Sequence, residues 1–248
     1  MRQRQRDHDH RLRTSLERRG TYGSLARICL GVSAHIPKTA GKEHMNHLDA
    51  LTRSIIRVGD GRGFVIEGEA DRLIITAAHC LPFFPPCMSF SDLHERTYQK
   101  LLAPIGEEPI IGTECLFVDP ISDIAILGPP DYQELSHQWE QYDELVDPLD
   151  PISVADAPEE TSAWLLSLDK QWRQCMVRHL GGPLWLYDAK DGIHAGMSGS
   201  PVLLGDGSAI GVVCVVGGVD PRLYTEGGPN PRLMTNLPGW CLRALAID

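Results

Sequence analysis

The chain has 248 residues, of which 42% are hydrophobic and 23% charged, a composition that predicts one or two folded units and excludes disorder throughout. Its net charge is −10, although residues 1–20 are rich in arginine. Binding of nucleic acid depends on clustered Lys and Arg across a folded surface, so the acidic body argues against nucleic acid as a partner. The longest run of the second half without a charged or strongly polar side chain, residues 209–219, is too short for a transmembrane segment, which needs roughly 20 residues.

Cysteine usage indicates a reducing environment. The seven cysteines leave at least one unpaired and are too widely spaced for the framework of a small disulfide-rich domain. An apolar run at residues 25–34 contains Arg27. The apolar region of a secretory signal peptide does not normally contain a charged residue. We therefore predict a cytoplasmic protein, with export through this segment as the alternative.

Residues 1–50 are predicted to form an N-terminal extension, disordered or loosely helical, because they lack a sustained apolar period. This extension is a candidate for docking a partner or a larger assembly. His44 and His47 form a His-x-x-His pair, but no cysteine or carboxylate pattern completes a four-ligand site. We predict that the protein uses no metal.

Short apolar segments separated by Gly, Pro and Asp predict β-strands in two regions of the chain. In a first β unit, residues 51–130, the strands are expected at 54–58, 63–66, 73–76, 110–118 and 124–127. In a second β unit with a C-terminal tail, residues 161–248, they are expected at 163–168, 175–180, 184–187, 201–204 and 209–216. The predicted fold class is all-β with two similar halves.

The segment between these units, residues 131–160, is predicted to be an acidic helical linker. It is rich in Asp and Glu and contains no Lys or Arg. Apolar side chains recur in its first half at the three- and four-residue steps of an amphipathic helix; they are Tyr132, Leu135, Trp139, Tyr142 and Leu145. We expect this stripe to pack against the β body, with the carboxylates in solvent.

Three short segments contain candidate catalytic residues, and their order along the chain is informative. A predicted strand ends in His79, another opens with Asp123, and a glycine-rich turn contains Ser198. Each residue alone is commonly an ordinary loop or turn residue. Together they are the three residue types that acyl transfer requires.

The chemical reason is that a serine hydroxyl is a poor nucleophile until an imidazole accepts its proton. The imidazole in turn needs a carboxylate that fixes its tautomer and stabilises its positive charge. Ser198, His79 and Asp123 fit these roles of nucleophile, base and orienting group. Glycines beside Ser198 allow the N–H groups of Gly196 and Ser198 to form an oxyanion hole.

These residues resemble the chymotrypsin-like, or trypsin-like, serine proteases. The matching segments are residues 76–80 (TAAHC), 123–127 (DIAIL) and 196–201 (GMSGSP), in the family's order of His, Asp and Ser. The resemblance covers residues 54–219. It implies two antiparallel six-stranded β-barrels, with His79 and Asp123 in the first, Ser198 in the second and a cleft between them. It also implies a polypeptide substrate and no cofactor.

Departures from the digestive enzymes of that family are equally informative. Met197 occupies the position of the aspartate that pairs with a newly cut N-terminus, so that zymogen switch cannot operate here. Cys80 lacks its usual disulfide partner upstream, and His194 replaces the first cysteine of the pocket disulfide. In these respects the chain is more similar to the bacterial glutamyl-endopeptidase and heat-shock protease types.

The resemblance also assigns a primary specificity pocket. Its expected substrate-binding residues are Gly192, Ile193, His194, Cys214, Val215 and Val216. Because Gly192 carries no carboxylate, specificity for Arg or Lys is not expected. Val216 should narrow the entrance, which favours a small or medium apolar side chain such as Ala, Val or Leu, unless His194 points inward and admits an acidic one.

Two functions follow from the sequence. The first is a serine endopeptidase that works through an acyl-enzyme intermediate, and the intact His-Asp-Ser set favours it. The alternative is a non-catalytic peptide-binding module on a protease fold.

Ser200 lies close to Ser198, but the chain has neither the Gly-x-Ser-x-Gly elbow nor the residue order of an α/β-hydrolase.

Overall fold

The structure is a computed structural model that describes residues 47–86, 96–130, 136–214 and 227–245. Nearly all of the predicted N-terminal extension, including Cys29 and His44, lies outside these residues. Val215 and Val216 of the expected pocket also lie outside them. Among the described residues, no helix is both long enough and apolar enough to span a bilayer.

The first β unit is a closed antiparallel barrel of six strands in the order β1-β2-β3-β6-β5-β4. Its strands are β1 (Ile55–Val58), β2 (Gly61–Ile66), β3 (Leu73–Thr76), β4 (Thr97–Pro104), β5 (Ile111–Asp119) and β6 (Ile124–Gly128). Every residue of β2, β3 and β6 is buried. These strands are therefore covered on both faces, which explains the almost entirely apolar sequences of β3 and β6.

The second β unit is a six-stranded antiparallel sheet in the order β11-β10-β7-β8-β9-β12. Its strands are β7 (Glu160–Leu166), β8 (Trp172–Arg178), β9 (Leu184–Tyr187), β10 (Pro201–Leu203), β11 (Ala209–Val212) and β12 (Gly227–Asn230). The two edges of the sheet meet after β12, where Arg232 bridges Gly211 of β11. The predicted all-β fold of two six-stranded units is thus confirmed, with the second unit joined at its edges by an isolated bridge.

Two strands, β4 and β12, were absent from the sequence prediction. In β4 the exposed Gln99 and Lys100 interrupt the apolar residues, and the pairing with β5 shifts register between Tyr98 and Leu102. Strand β12 consists of Gly227–Asn230 (GGPN), residue types that are depleted in strands. Neither segment has the alternation on which sequence-based assignment depends.

Helix α1 (Ser136–Val146) lies within the segment predicted as a helical linker. Its Tyr142 is fully buried, and the hydroxyl donates a hydrogen bond of 2.8 Å to the carbonyl oxygen of Arg72. The Arg72 guanidinium donates to the carbonyl oxygens of Val146, Asp147 and Leu149 at the end of the helix. Arg72 therefore satisfies acceptors that a helix C-terminus leaves unpaired.

Two short helices, α2 (Leu233–Asn236) and α3 (Gly239–Ala244), end the described chain.

Buried apolar residues form two clusters. The larger cluster fills the first barrel and also includes Trp172, Leu203 and Val212 of the second unit. The two units therefore share apolar contacts in addition to their separate cores.

Cys80, Cys115, Cys214 and Cys241 are buried and are not in disulfides, while Cys29 and Cys87 lie outside the described residues. Burial raises the pKa of Cys80, Cys115 and Cys241 to about 11. The thiolate is the reactive form of cysteine. At pH 8 only about one in 1,000 of such thiols is ionised, so all three are protected by both access and chemistry.

We predict that Cys80, Cys115 and Cys241 react slowly with iodoacetamide at pH 8 in the native protein and rapidly after unfolding in guanidinium. Peptide-level mass spectrometry measures each site, and N-acetylcysteine in the same tube controls for reagent activity. Excess reductant should leave the native pattern unchanged. Recovery of stable disulfide-linked peptides containing these residues would contradict both the thiol assignment and the reducing compartment.

Candidate active site

His79 and Asp123 meet because their strands are neighbours. His79 lies in the 3₁₀-helix Ala78–Cys80, which begins one residue after the end of β3, and Asp123 directly precedes β6. Antiparallel pairing of Thr76 with Ala125 places the end of β3 beside the start of β6. His79 is three residues after Thr76, and Asp123 is two residues before Ala125. The paired strands therefore bring the two side chains together.

Asp123 holds His79 at two atoms. One carboxylate oxygen, Oδ2, lies 2.7 Å from Nδ1 of the imidazole, and the other, Oδ1, accepts the His79 backbone N–H at 2.9 Å. An ionised carboxylate can only accept, so Nδ1 carries the proton and Nε2 presents a lone pair. This is the tautomer that a general base needs.

The backbone of Asp123 is itself constrained. Its φ is +58°, a left-handed conformation that is uncommon for a residue with a side chain. The Asp123 carbonyl oxygen accepts the N–H of Ala78 at 3.2 Å and lies 3.2 Å from the donating Sγ of Cys214. These contacts from both units maintain the conformation.

Ser198 lies in a tight turn between β9 and β10. Its carbonyl oxygen accepts the Arg62 N–H at 2.7 Å, and the next N–H, that of Gly199, donates to the Val213 carbonyl oxygen at 2.7 Å. Gly199 has a φ of +82°, and a Cβ there would lie 1.7 Å from the Arg62 carbonyl oxygen. Only glycine permits this approach of the first barrel to the turn.

The backbone on the other side of Ser198 is the segment predicted to form an oxyanion hole. Gly196 has a φ of +89°, and Met197 is buried in the second core, with its N–H donating to the His194 carbonyl oxygen at 3.1 Å. Within the described residues, the N–H groups of Gly196 and Ser198 have no hydrogen-bond acceptor. Both are thus available to a ligand oxygen.

His79, Gly196 and Ser198 line one cleft of about 450 Å³. The imidazole is open to it, since 45% of the His79 side chain is exposed, whereas Asp123 contacts the imidazole at Nδ1. The rest of the cleft wall comes mainly from the first barrel: Gly59, Asp60, Gly61, Cys80, Leu81, Pro82, Lys100 and Leu101. The structure therefore brings together the residues that the sequence order suggested.

The four described residues of the expected specificity pocket differ in burial and in the groups that they contact. Gly192 has a φ of +72°, Ile193 packs in the second core, and His194 is exposed with Nε2 2.6 Å from the Asp191 carbonyl oxygen. Cys214 is buried against Asp123. Among the described residues that line the cleft with Ser198, these four do not occur, so their role in substrate binding stays a prediction.

Two features of the site have weak sequence signals. Ser200, the alternative hydroxyl, is fully buried and lies 3.5 Å from a donor nitrogen of Arg62, which removes it from the candidates for nucleophile. Arg62 is 5% exposed and contacts the Ser198 turn. The only sequence signal for Arg62 is a charge inside an otherwise apolar strand.

Within the described residues, no cluster of His, Cys, Asp and Glu is arranged to hold a metal ion.

Comparison with known proteins gives no match to a protein-family model and no matching sequence among curated proteins. Solved structures with a related chain path include the active form of the Rv3671c protease from M. tuberculosis, with 16% identity, 92% of this chain and 96% of that chain covered, and a TM-score of 0.46. The serine endoprotease from Yersinia pestis has 14% identity over 79% of this chain and 63% of that chain, with a TM-score of 0.46. The MamO protease domain from Magnetospirillum magneticum has 13% identity over 75% and 95%, with a TM-score of 0.42.

The close approach at Gly199 generates a prediction for stability. Gly199→Ala adds a Cβ against the Arg62 backbone, whereas Gly181→Ala adds one at a similar φ of +75° with no atom within 4 Å. Left-handed strain alone costs about 1–2 kcal/mol, which is the loss expected for Gly181→Ala. Gly199→Ala should lose at least about 4 kcal/mol or fail to fold.

Urea denaturation followed by circular dichroism measures both variants under the same conditions. The difference between them isolates the backbone collision from the strain of φ. Equal losses for the two variants would mean that the turn can move away from the first barrel.

Proposed function

We propose that this protein is a serine endopeptidase that hydrolyses peptide bonds through an acyl-enzyme intermediate. The observation that carries the proposal is the carboxylate-bound imidazole of His79 opening into the same cleft as Ser198. The two available N–H groups beside Ser198 support it.

In the first half of the proposed reaction, Ser198 Oγ attacks the carbonyl carbon of the substrate while His79 Nε2 takes the hydroxyl proton. The carbonyl oxygen becomes an oxyanion that accepts hydrogen bonds from the Gly196 and Ser198 N–H groups, each worth about 3 kcal/mol in the transition state. His79 then gives the proton to the departing amine, the C–N bond breaks, and the acyl group stays on Ser198.

In the second half, a water molecule loses a proton to His79 Nε2 and attacks the acyl carbon. Collapse of the second tetrahedral intermediate breaks the ester bond and returns the proton to Ser198. Asp123 remains ionised throughout and stabilises the imidazolium that forms twice per cycle. The chain's own residues supply every proton transfer in this scheme.

A fluorophosphonate probe tests the nucleophile, because it phosphonylates only an activated serine. We expect labelling of the folded protein at Ser198, identified by peptide mass spectrometry. Ser198→Ala should abolish labelling, and Ser200→Ala should retain it at Ser198, since the Ser200 hydroxyl is buried. A folded wild-type protein that resists the probe would favour the non-catalytic peptide-binding module.

The Asp123→Asn variant tests the tautomer. Asn can keep an oxygen toward the His79 backbone N–H only by turning its amide nitrogen toward Nδ1. The imidazole would then carry its proton on Nε2 and could not accept one from Ser198, so kcat should fall by about 10⁴. Activity on a proteome-derived peptide library measures the loss, and unchanged kcat in a folded variant would exclude this role for Asp123.

The specificity proposal is tested with peptides that differ only in the residue before the cleaved bond. We expect Ala, Val and Leu to be preferred over Phe and Arg, because Gly192 supplies no carboxylate for Arg and Val216 is predicted to narrow the entrance. Preferred cleavage after Glu would mean that His194 points into the pocket. One methylene changes recognition by only about 1–3 kcal/mol, so the preference should be graded. Preferred cleavage after Arg would contradict the pocket assignment and leave the nucleophile unaffected.

A further inference from the structure

Arg62 of β2 is a buried cation held by uncharged acceptors. It is 5% exposed, and its guanidinium donates to the carbonyl oxygens of Leu166 at 2.6 Å and Ser167 at 3.0 Å and lies 3.5 Å from Ser200 Oγ. Among the described residues, it makes no ion pair with a carboxylate. Burial lowers the pKa of Arg62, since desolvation penalises the charged form.

This arrangement is costly, because a buried charge loses several kcal/mol of hydration unless its contacts compensate. An apolar side chain at the same position would avoid that cost. The contacts of Arg62 are also specific: Leu166 ends β7, and Ser167 follows it in the second β unit. The guanidinium therefore crosses from the first barrel to the second unit.

The backbone of Arg62 contacts the nucleophile's turn directly. Its N–H donates to the Ser198 carbonyl oxygen at 2.7 Å, and its carbonyl oxygen faces Gly199 where no Cβ fits. That same carbonyl oxygen accepts the Thr76 hydroxyl at 2.6 Å. Thr76 is three residues before His79, so a short series of contacts leads from the base through Thr76 and Arg62 to the nucleophile.

We infer that Arg62 is a positioning residue that sets the distance between His79 and Ser198, an inference that rests on the proposed function. The base and the nucleophile belong to different β units, and a displacement of about 1 Å between reacting groups can cost about 100-fold in rate. Arg62 fixes that displacement by binding the second unit through its guanidinium and the Ser198 turn through its backbone. The side chain thereby holds the backbone contact in place.

The alternative is that Arg62 only stabilises the fold, and Arg72 provides a matched control. The Arg72 guanidinium also donates to three main-chain carbonyl oxygens, those of Val146, Asp147 and Leu149. Its hydrogen bonds connect the residue that precedes β3 to the end of α1 and include no atom of residues 196–200. Loss of Arg72 therefore tests the stability effect without the positioning effect.

The experiment compares Arg62→Met with Arg72→Met at temperatures well below both melting points. The readout is the second-order rate constant for fluorophosphonate labelling of Ser198. We expect about a 100-fold decrease for Arg62→Met and less than about a threefold change for Arg72→Met, whatever the two losses in Tm. A folded Arg62→Met protein that reacts at the wild-type rate would overturn the inference.

If Arg62→Met does not fold, the pair Arg62→Lys and Arg72→Lys decides. A lysine keeps the charge but has no planar fork that reaches separated acceptors, so Arg62→Lys should react about tenfold more slowly than Arg72→Lys. Equal rates for the two lysine variants would overturn the inference.

Hydrogen exchange separates this inference from the proposed function, because it needs no activity. The Gly199 and Ser200 N–H groups donate to Val213 and Met197. They should exchange faster in the Arg62 variants and at the wild-type rate in the Arg72 variants. Absence of labelling in wild-type protein would refute the endopeptidase, whereas unchanged exchange in the Arg62 variants would refute the hold of Arg62 on the turn.

Discussion

The close approach of two main chains, at Arg62 and Gly199, is the constraint on which the site depends. The N–H of Arg62 binds the Ser198 carbonyl oxygen, and its own carbonyl oxygen occupies the space where a Cβ of residue 199 would be. A side chain at residue 199 is thus excluded at the point where the first barrel meets the Ser198 turn. Contact with the barrel restricts the movement of the turn at this point. On its other side, the turn is held by the hydrogen bond from the Gly199 N–H to Val213 and by the pairing of β10 with β11.

A second constraint acts within the first barrel. Register between β3 and β6 places His79 beside Asp123, but the left-handed backbone of Asp123 turns its carboxylate toward both the ring and the backbone of His79. Such a conformation persists only when its surroundings determine it. Here the N–H of Ala78 and the thiol of Cys214 donate to the Asp123 carbonyl oxygen from different parts of the chain. The orientation of the His79 ring therefore also depends on how the two units pack.

Sequence reasoning proposed His79, Asp123 and Ser198 as a set because chemistry limits which residue types can act together, and the structure places His79 against Asp123 and in one cleft with Ser198. It also anticipated most strands, since unbroken apolar segments such as β3 and β6 have few other solutions. Strands β4 and β12 could not be predicted, as their pairing depends on neighbours distant in sequence rather than on local pattern. Arg62 could not be predicted either, because its acceptors are backbone carbonyls whose positions only the fold determines.

Two thiols that contact the backbone of Ser198 and Asp123 affect how inhibition by thiol reagents should be interpreted. Cys80 Sγ lies 3.7 Å from the Ser198 carbonyl oxygen, and Cys214 Sγ lies 3.2 Å from that of Asp123. Both cysteines are buried, so a heavy atom added at either sulfur would press on the main-chain oxygen that the sulfur contacts. A mercurial bound to one of these sulfurs would displace the Ser198 turn or the backbone of Asp123, and the Asp123 carboxylate that contacts His79 would move with it. Inactivation by thiol reagents is therefore compatible with a serine nucleophile and does not indicate a cysteine enzyme.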